Sequence, residues 1–441
     1  AGHRTLEGVR MQVGQAGDPP VATRARDGYD GGGVSGGFHG ASFACGRRVR
    51  IQCPAMGALS GITVLELSRV LAGPWCGMTL ADLGADVIKL ESFDGDDTRG
   101  LGPPFLDGMS AYFACCNRNK RSLAIDLRSP AARPLLEALV READVIVENY
   151  RTGGAESLGV GYEAMADINP RLVYCSISGY GRDGPGAMRP GYDYVVQAEA
   201  GLMSITGPAD GEPSKVGVAV ADLATGQNAA TAILAALLQR HRDGRGQRID
   251  VSLFDTQLSL LANVAGNALF TGAEAPRYGN AHPSIVPYQS FAASDQSFVL
   301  AVASEKLWAQ LCLALGQPGW RDDPRWHNNA ARVANRESIC AALAGLFSTR
   351  EAAHWLALFE RAGIPAAPIN GVCQALDHPV AHARGMRYEL EGIPMVGSPI
   401  RLSGSPARRE LPPPRLGEHS DMIARAAGFD PGALREAGAI R

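Results

Sequence analysis

The feature that most limits how this chain can fold is a rhythm: from Met56 onward, short β-rich runs alternate with helical stretches. Thr63 to Leu67 reads as a strand, followed by Ala72, Gly73 and Pro74. Proline is tolerated in the first turn of a helix, so a helix is predicted from there to about Leu83, with Gly84 ending it in a left-handed conformation. Val87 to Leu90, SLAIDL (Ser122 to Leu127), DVIVEN (Asp144 to Asn149) and LVYCSIS (Leu172 to Ser178) read as further strands. Ser129 and Pro130 mark a helix start between two of them. Ala, Leu and Ile recur at helical spacing from Leu223 to Arg240, the strand RIDVSLF follows, and a second helix is predicted from Asp255 to Phe270. Strands separated by helices of this length require crossover connections, which predicts βαβ units, a parallel doubly wound sheet and an α/β fold.

After Phe270 the texture changes. RYGNAHPSIVPYQSF is rich in Gly, Pro and Asn, and YQSFAAS with SFVLAVA reads as a hairpin across Asp295 and Gln296. Helices are predicted over 305–315, 332–347 and 350–362, the last capped by Thr349. Residues 275–375 are therefore expected to form a smaller α+β domain, inserted between the first part of the large domain (56–274) and its return (376–441). Residues 1–55 are rich in Gly and Arg, lack an apolar period, and are expected to be a disordered leader.

Composition narrows the partners. Forty-two Lys and Arg nearly balance 45 Asp and Glu, and the net charge of -3 gives no broad basic field for nucleic acid or an anionic membrane. No apolar run approaches the ~18 residues of a membrane span. The nine cysteines are odd in number and contain no CxxC pair, which suits reduced thiols in the cytoplasm or a mitochondrial matrix.

Several motifs fail on context. GYGRDG (Gly179 to Gly184) follows a strand, but Pro185 and Gly186 prevent a helix from opening onto a pyrophosphate, so a turn-rich loop is expected. His378 and His382 lack the Glu of HExxH and enclose Pro379, so no metal site is expected. Cys115 and Cys116 precede Asn117, Arg118, Asn119, Lys120 and Arg121. The thiols are either buried structural groups or thiols activated by the cations. The three cations are either a solvated run or a surface facing the phosphates of an anionic ligand.

Two acids stand out. Asp222 interrupts an apolar stretch immediately before the long helix, where it can serve as an N-cap, and a helix N-terminus would hold its carboxylate ionised and nucleophilic. Asp193, preceded by Tyr192, can cap a helix carrying Val195, Val196 and Ala200.

The ordered series LELSRVLAGPWCGMTLADLGADVIKLE, GDDTRG, NRNKRSLAIDL, ADVIVENY, LGVGYE, NPRLVYCSISGYG, VADLATG, GRGQRIDVSLFD and LGEHSD resembles the class III CoA-transferases, from Leu59 to about Met422. VGVAVADLATG and GNAHPSIVPYQSF are similar to the branch that passes CoA from succinyl-CoA to glutarate. The resemblance implies a Rossmann-like large domain, a small domain and a homodimer of two interlocked rings. It implies acyl-CoA and carboxylic acid substrates, with no tightly bound cofactor. Its catalytic aspartate falls on Asp222, and its CoA contacts fall on Arg69, Val70, Ile125, Arg128, Asn149, Tyr150 and Tyr192.

Two family arginines fall on Ser92 and Ser157, and Arg151 or Arg121 would have to replace them. A family glutamine falls on Leu71, and the family's glycine loop is replaced by the stretch holding Gly279, Asn280 and His282, so formyl and oxalyl acceptors are not expected. The implied chemistry is attack by Asp222 on a donor thioester, then an aspartyl anhydride and an aspartyl-CoA thioester. A rival reading, an α-methylacyl-CoA racemase, needs a histidine where Tyr192 stands, and a phenol of pKa ~10 is a poor proton shuttle at neutral pH. The other rival is a CoA-binding protein in which Asp222 is only a cap.

Overall fold

The computed structural model describes residues 57–441; the expected leader over 1–55 lies outside the described residues. Six strands, β1 (Thr63–Glu66), β2 (Asp86–Glu91), β3 (Lys120–Ala124), β4 (Val145–Glu148), β5 (Val173–Ser178) and β6 (Gln247–Ser252), form one sheet in the order β3-β2-β1-β4-β5-β6. Every pairing in it is parallel. Successive strand residues point to opposite faces, so Leu65, Ile88 and Ile146 enter one core while Val64, Val87 and Val145 enter another. Both faces are covered, which is why β1, β2, β4 and β5 are buried along nearly their whole length, whereas β6, at the edge, alternates.

Helix α1 (Ala72–Asp82) follows β1, and the short α2 (Asp193–Glu199) and the long α3 (Val220–Asp243) lie between β5 and β6. Cys76, Leu80 and Ala81 of α1 share a core with Ala229, Ile233 and Ala236 of α3. The two helices approach so closely that a Cβ at Gly226 would lie 2.5 Å from the Ala72 carbonyl oxygen. Only glycine fits that crossing.

A third core, containing Phe298, Trp308, Phe347, Trp355 and Phe359, builds on an antiparallel sheet of β7 (Tyr288–Ala292), β8 (Ser297–Ala301) and β9 (Ala366–Pro368) in the order β9-β8-β7. Beyond it the chain runs back along the large sheet: Ser122 accepts from the His419 amide, Ala124 from that of Arg441, and Ile125 bridges to Ile440.

Several predicted boundaries need correction. The strand expected over Ser122 to Leu127 begins at Lys120 and ends at Ala124, because Lys120 and Arg121 pair with Val87 and Ile88. The helix expected from Asp255 to Phe270 is two helices, Leu253–Ser259 and Ala262–Thr271, divided where Ala262 takes φ +44°. The 332–347 helix is likewise divided into Asn329–Ala334 and Arg336–Phe347 at Asn335. Thr349 does not cap the next helix, since its hydroxyl donates to the Leu346 carbonyl; the amide of Ala352 is satisfied by Asp295, 57 residues earlier.

Candidate active site

In an open parallel sheet, ligands bind beyond the carboxyl ends of the strands at the point where the strand order reverses. Here that point lies between β1 and β4, and a cavity of about 1250 Å³ opens there. Leu67 and Arg69 to Ala72 after β1, Ser92 after β2, Ile125 after β3, Asn149 and Tyr150 after β4 and Ser178 at the end of β5 line it. All seven residues expected to contact CoA (Arg69, Val70, Ile125, Arg128, Asn149, Tyr150 and Tyr192) are on its wall, together with Leu71, Arg151 and Asp222. Sequence positions spread over about 150 residues converge because they follow the ends of strands in one sheet or begin the helices beside those ends.

The β1–α1 loop is held by side chains from three other segments. Lys89 donates to the Ser68 carbonyl at 2.9 Å. Asn149 accepts from the Arg69 amide at 2.9 Å and donates to the Arg69 carbonyl at 2.8 Å. Asp96 accepts from the Val70 amide through both oxygens, at 3.2 and 3.3 Å. The carboxamide of Asn149 is thus occupied in shaping the loop that carries Arg69.

Asp222 is in the first turn of α3, not at its cap; the N-cap is Ala219, whose side chain has no acceptor. The acceptor comes from Asp193, whose Oδ1 takes the Ala221 amide at 2.7 Å and the Asp222 amide at 3.4 Å. Asp193 is the first residue of α2, and it caps α3 rather than its own helix. Its other oxygen accepts from buried Gln197 at 2.6 Å, and Gln197 in turn accepts from the Val216 amide. The neck of the preceding loop closes where a Cβ on Gly179 would lie 2.5 Å from the Cα of Gly191, which sets Tyr192 and Asp193 in place.

This arrangement reverses one expectation. The helix N-terminus does not keep Asp222 readily ionised, because Asp193 has taken its free amides and adds a negative charge. Burial first, and Asp193 second, push the Asp222 carboxyl up to about 7. No protein group among the described residues donates a hydrogen bond to its side chain. Half-buried Tyr112, on the helix Ala111–Ala114, has its phenol pushed up to about 12 by burial and then by the charge of Asp222.

The CoA-transferase family III profile matches residues 59–420. The chain belongs to CoA-transferase family III. It is 45% identical over 382 residues to a succinate–glutarate CoA-transferase of Agrobacterium fabrum, covering 83% of this chain and 94% of the relative. It is 41% identical over 396 residues to a succinyl-CoA:glutarate CoA-transferase of Mus musculus, covering 88% and 91%. Among solved structures, a CAIB/BAIF family protein from Brucella suis superposes with a TM-score of 0.77 at 44% identity, over 85% of this chain and all of that one.

Within the family framework, the basic run of residues 118–121 has a structural part and does not face the cavity. Arg118 is buried against Asp82, Lys120 is fully buried 2.8 Å from Glu66, and Arg121 pairs with Asp86. Cations this close to β2 and α1 are consumed in tying the sheet to its helix. Arg121 therefore cannot replace a family arginine, whereas Ser92, Ser157, Arg128 and Arg151 all line the cavity. Arg128 and Arg151 have no carboxylate partner among the described residues, while Arg69 faces Asp97 at 3.4 Å and Arg189 is held by Glu199.

Cys116 is buried with its thiol pushed up, foremost by its contact with Cys115, whose own thiol is held down by the same contact. Gly279, Asn280 and His282 lie outside the cavity wall: Asn280 donates to Ser290, and the His282 ring accepts from the Ser284 amide. The loop Gly179 to Gly184 opens no helix; the Arg182 amide binds Asp250 and its guanidinium binds Glu148. His378 caps the helix Pro379–Ala383 through its ring nitrogen, and among the described residues no group of His, Cys, Asp and Glu is arranged for a metal ion. No described helix is long and apolar enough to cross a membrane.

Asp96 and Lys89 were missed as site residues, although GDDTRG and VIKLE were both visible motifs. Their importance depends on contacts with a loop some 20 residues away.

Proposed function

We propose that this enzyme moves CoA from succinyl-CoA to glutarate, or to another four- to six-carbon dicarboxylate, with Asp222 as nucleophile. The observation that carries the reading is a carboxylate on the wall of the switch-point cavity, without a donor and with its pKa raised to about 7. Such a group is a better nucleophile, once ionised, than a solvated carboxylate. The names of the two glutarate-linked relatives support the choice of acids.

An ionised Asp222 oxygen adds to the thioester carbonyl, and expulsion of CoA thiolate leaves an aspartyl–succinyl anhydride. The thiolate attacks the aspartyl carbonyl, releasing succinate and leaving an aspartyl-CoA thioester. Glutarate attacks that carbonyl, expels the thiolate and forms a second anhydride. Thiolate attack on the glutaryl carbonyl gives glutaryl-CoA and restores the carboxylate. No proton need be transferred, so no separate base is required. Water must be excluded from both anhydrides. Arg128 and Arg151 suit the phosphates of CoA.

By the same family reading, the protein is a homodimer of interlocked rings and residues 275–375 are a small inserted domain; its unpaired cysteines suit a reducing compartment, the cytoplasm or else a mitochondrial matrix.

Incubation with succinyl-CoA followed by hydroxylamine is expected to convert Asp222 to its hydroxamate, detectable by peptide mass spectrometry. An unmodified Asp222 peptide would sink the nucleophile. A screen of glutarate, malate, itaconate, carnitine and oxalate is expected to favour the dicarboxylates of four to six carbons; turnover with carnitine or oxalate alone would refute that preference.

A further inference from the structure

Val70 has φ +71°, in the left-handed region. A β-branched residue there is a genuine outlier, and such strain persists only where the surroundings over-determine it. Here the surroundings are identifiable. The Val70 amide points between both oxygens of Asp96, at 3.2 and 3.3 Å, across 26 residues of sequence. Asp96 is 2% exposed, and its carboxylate lies 2.9 Å from the ammonium of Lys89, which is fully buried.

The same ammonium donates to the Ser68 carbonyl at 2.9 Å and to Glu66 at 3.0 Å. One ion pair therefore grips the loop on both sides of Arg69. Asp96 is in turn oriented by the amide and hydroxyl of Thr98, at 3.0 and 2.8 Å. Capping the short turn at Asp97–Gly100 needs only the Thr98 bonds. The contact with Val70 is additional to that local role.

We propose that Asp96, backed by Lys89, is a positioning residue that holds Val70 in its left-handed conformation and so shapes the Arg69–Leu71 wall of the cavity. The proposal rests on the CoA reading of that cavity. Without the acceptor, Val70 relaxes to a negative φ, and the reversal that places Arg69, Val70 and Leu71 side by side on the wall before α1 is lost. Although burial opposes it, Lys89 and Thr98 hold the Asp96 carboxyl down to about 2, so the grip stays charged throughout the neutral range.

The test is a double-substitution cycle, read by titrating free coenzyme A into the full chain and by the KM for succinyl-CoA. Glycine accepts a positive φ without strain, so Val70→Gly removes the need for the grip. Asp96→Ala is expected to weaken coenzyme A binding by about tenfold, within the range set by the strain of one such residue. In the Val70→Gly background the same substitution is expected to weaken it by less than about threefold.

An equal loss in both backgrounds would show a merely structural role and overturn the proposal. Should Asp96→Ala leave Lys89 too poorly paired to fold, Asp96→Ala combined with Lys89→Met, which removes the stranded ammonium while Lys120 still pairs with Glu66, runs the same cycle. A crystal structure of either variant that retains a positive φ at Val70 without a bond to residue 96 also overturns it. A parent enzyme that bound no coenzyme A would sink the CoA reading, and the backbone angle would still decide for or against Asp96.

Discussion

Asp222 shows how one side chain's chemistry is set by residues far from it in sequence. In the first turn of a free helix it would be expected below its ordinary pKa, stabilised by exposed amides. With Asp193 occupying those amides, burial and like charge prevail and the carboxyl rises to about 7. The group is thus protonated below that point and ionised above it. The rate of acylation by succinyl-CoA is expected to fall as pH drops through about 7, following one ionisation. Replacing Asp193 by Asn keeps an acceptor for the Ala221 amide but removes the charge. The acid limb of kcat/KM is then expected to move to lower pH, by about one unit. A limb that stays in place, or moves up, would show that Asp193 does not set the charge of Asp222. Asp222 itself was legible in the sequence as an acid before a long helix, and the resemblance singled it out. Its protonation was not legible, because that depends on a contact across 29 residues.

At the scale of elements, the site depends on how closely α1 and α3 cross. Leu71 and Ala72 start one helix and Asp222 starts the other, and Gly226 lets them meet on one cavity wall. Gly226→Val places a Cβ against the Ala72 carbonyl, a backbone atom that cannot swing away, so the helices must separate. The expected result is a stability loss of about 1–3 kcal/mol, as for an overpacked core. Hydroxamate formation at Asp222 is expected to slow by at least about tenfold, since a misplacement near 1 Å can lower rates a hundredfold. Wild-type trapping rates with an unchanged melting midpoint would refute the argument. Most elements were legible because β1, β2, β4 and β5 are short runs rich in Val and Ile and α3 carries a helical period. The break at Ala262 was not, since no Gly or Pro marks it, and neither was the capping of Ala352 by Asp295, which is a tertiary contact.

For the whole molecule, the proposed interlocked dimer makes an unusual kinetic demand. Two closed rings that pass through one another cannot separate by simple dissociation; one must open first. When tagged and untagged homodimers are mixed in native buffer, no mixed species is expected over days, and heterodimers are expected only after unfolding and refolding. Exchange within minutes to hours would rule out the interlock. The surface offers apolar material for such an interface: Leu269 and Phe270, at the end of the helix Ala262–Thr271, are 83% and 93% exposed in the single chain.

The order of strands and helices in the large sheet, the α/β class, the family and the choice of Asp222 as candidate nucleophile came from the sequence alone, because they depend on local period and on motifs read along the chain. The tertiary structure decided which charges are free to work. It spent Arg118, Lys120 and Arg121 on holding the sheet, turned Asp193 from a cap of its own helix into the neighbour that raises Asp222, and made Asp96 the support of a strained Val70. A side chain's charge state and partners are properties of its surroundings, and those exist only once distant segments have packed together.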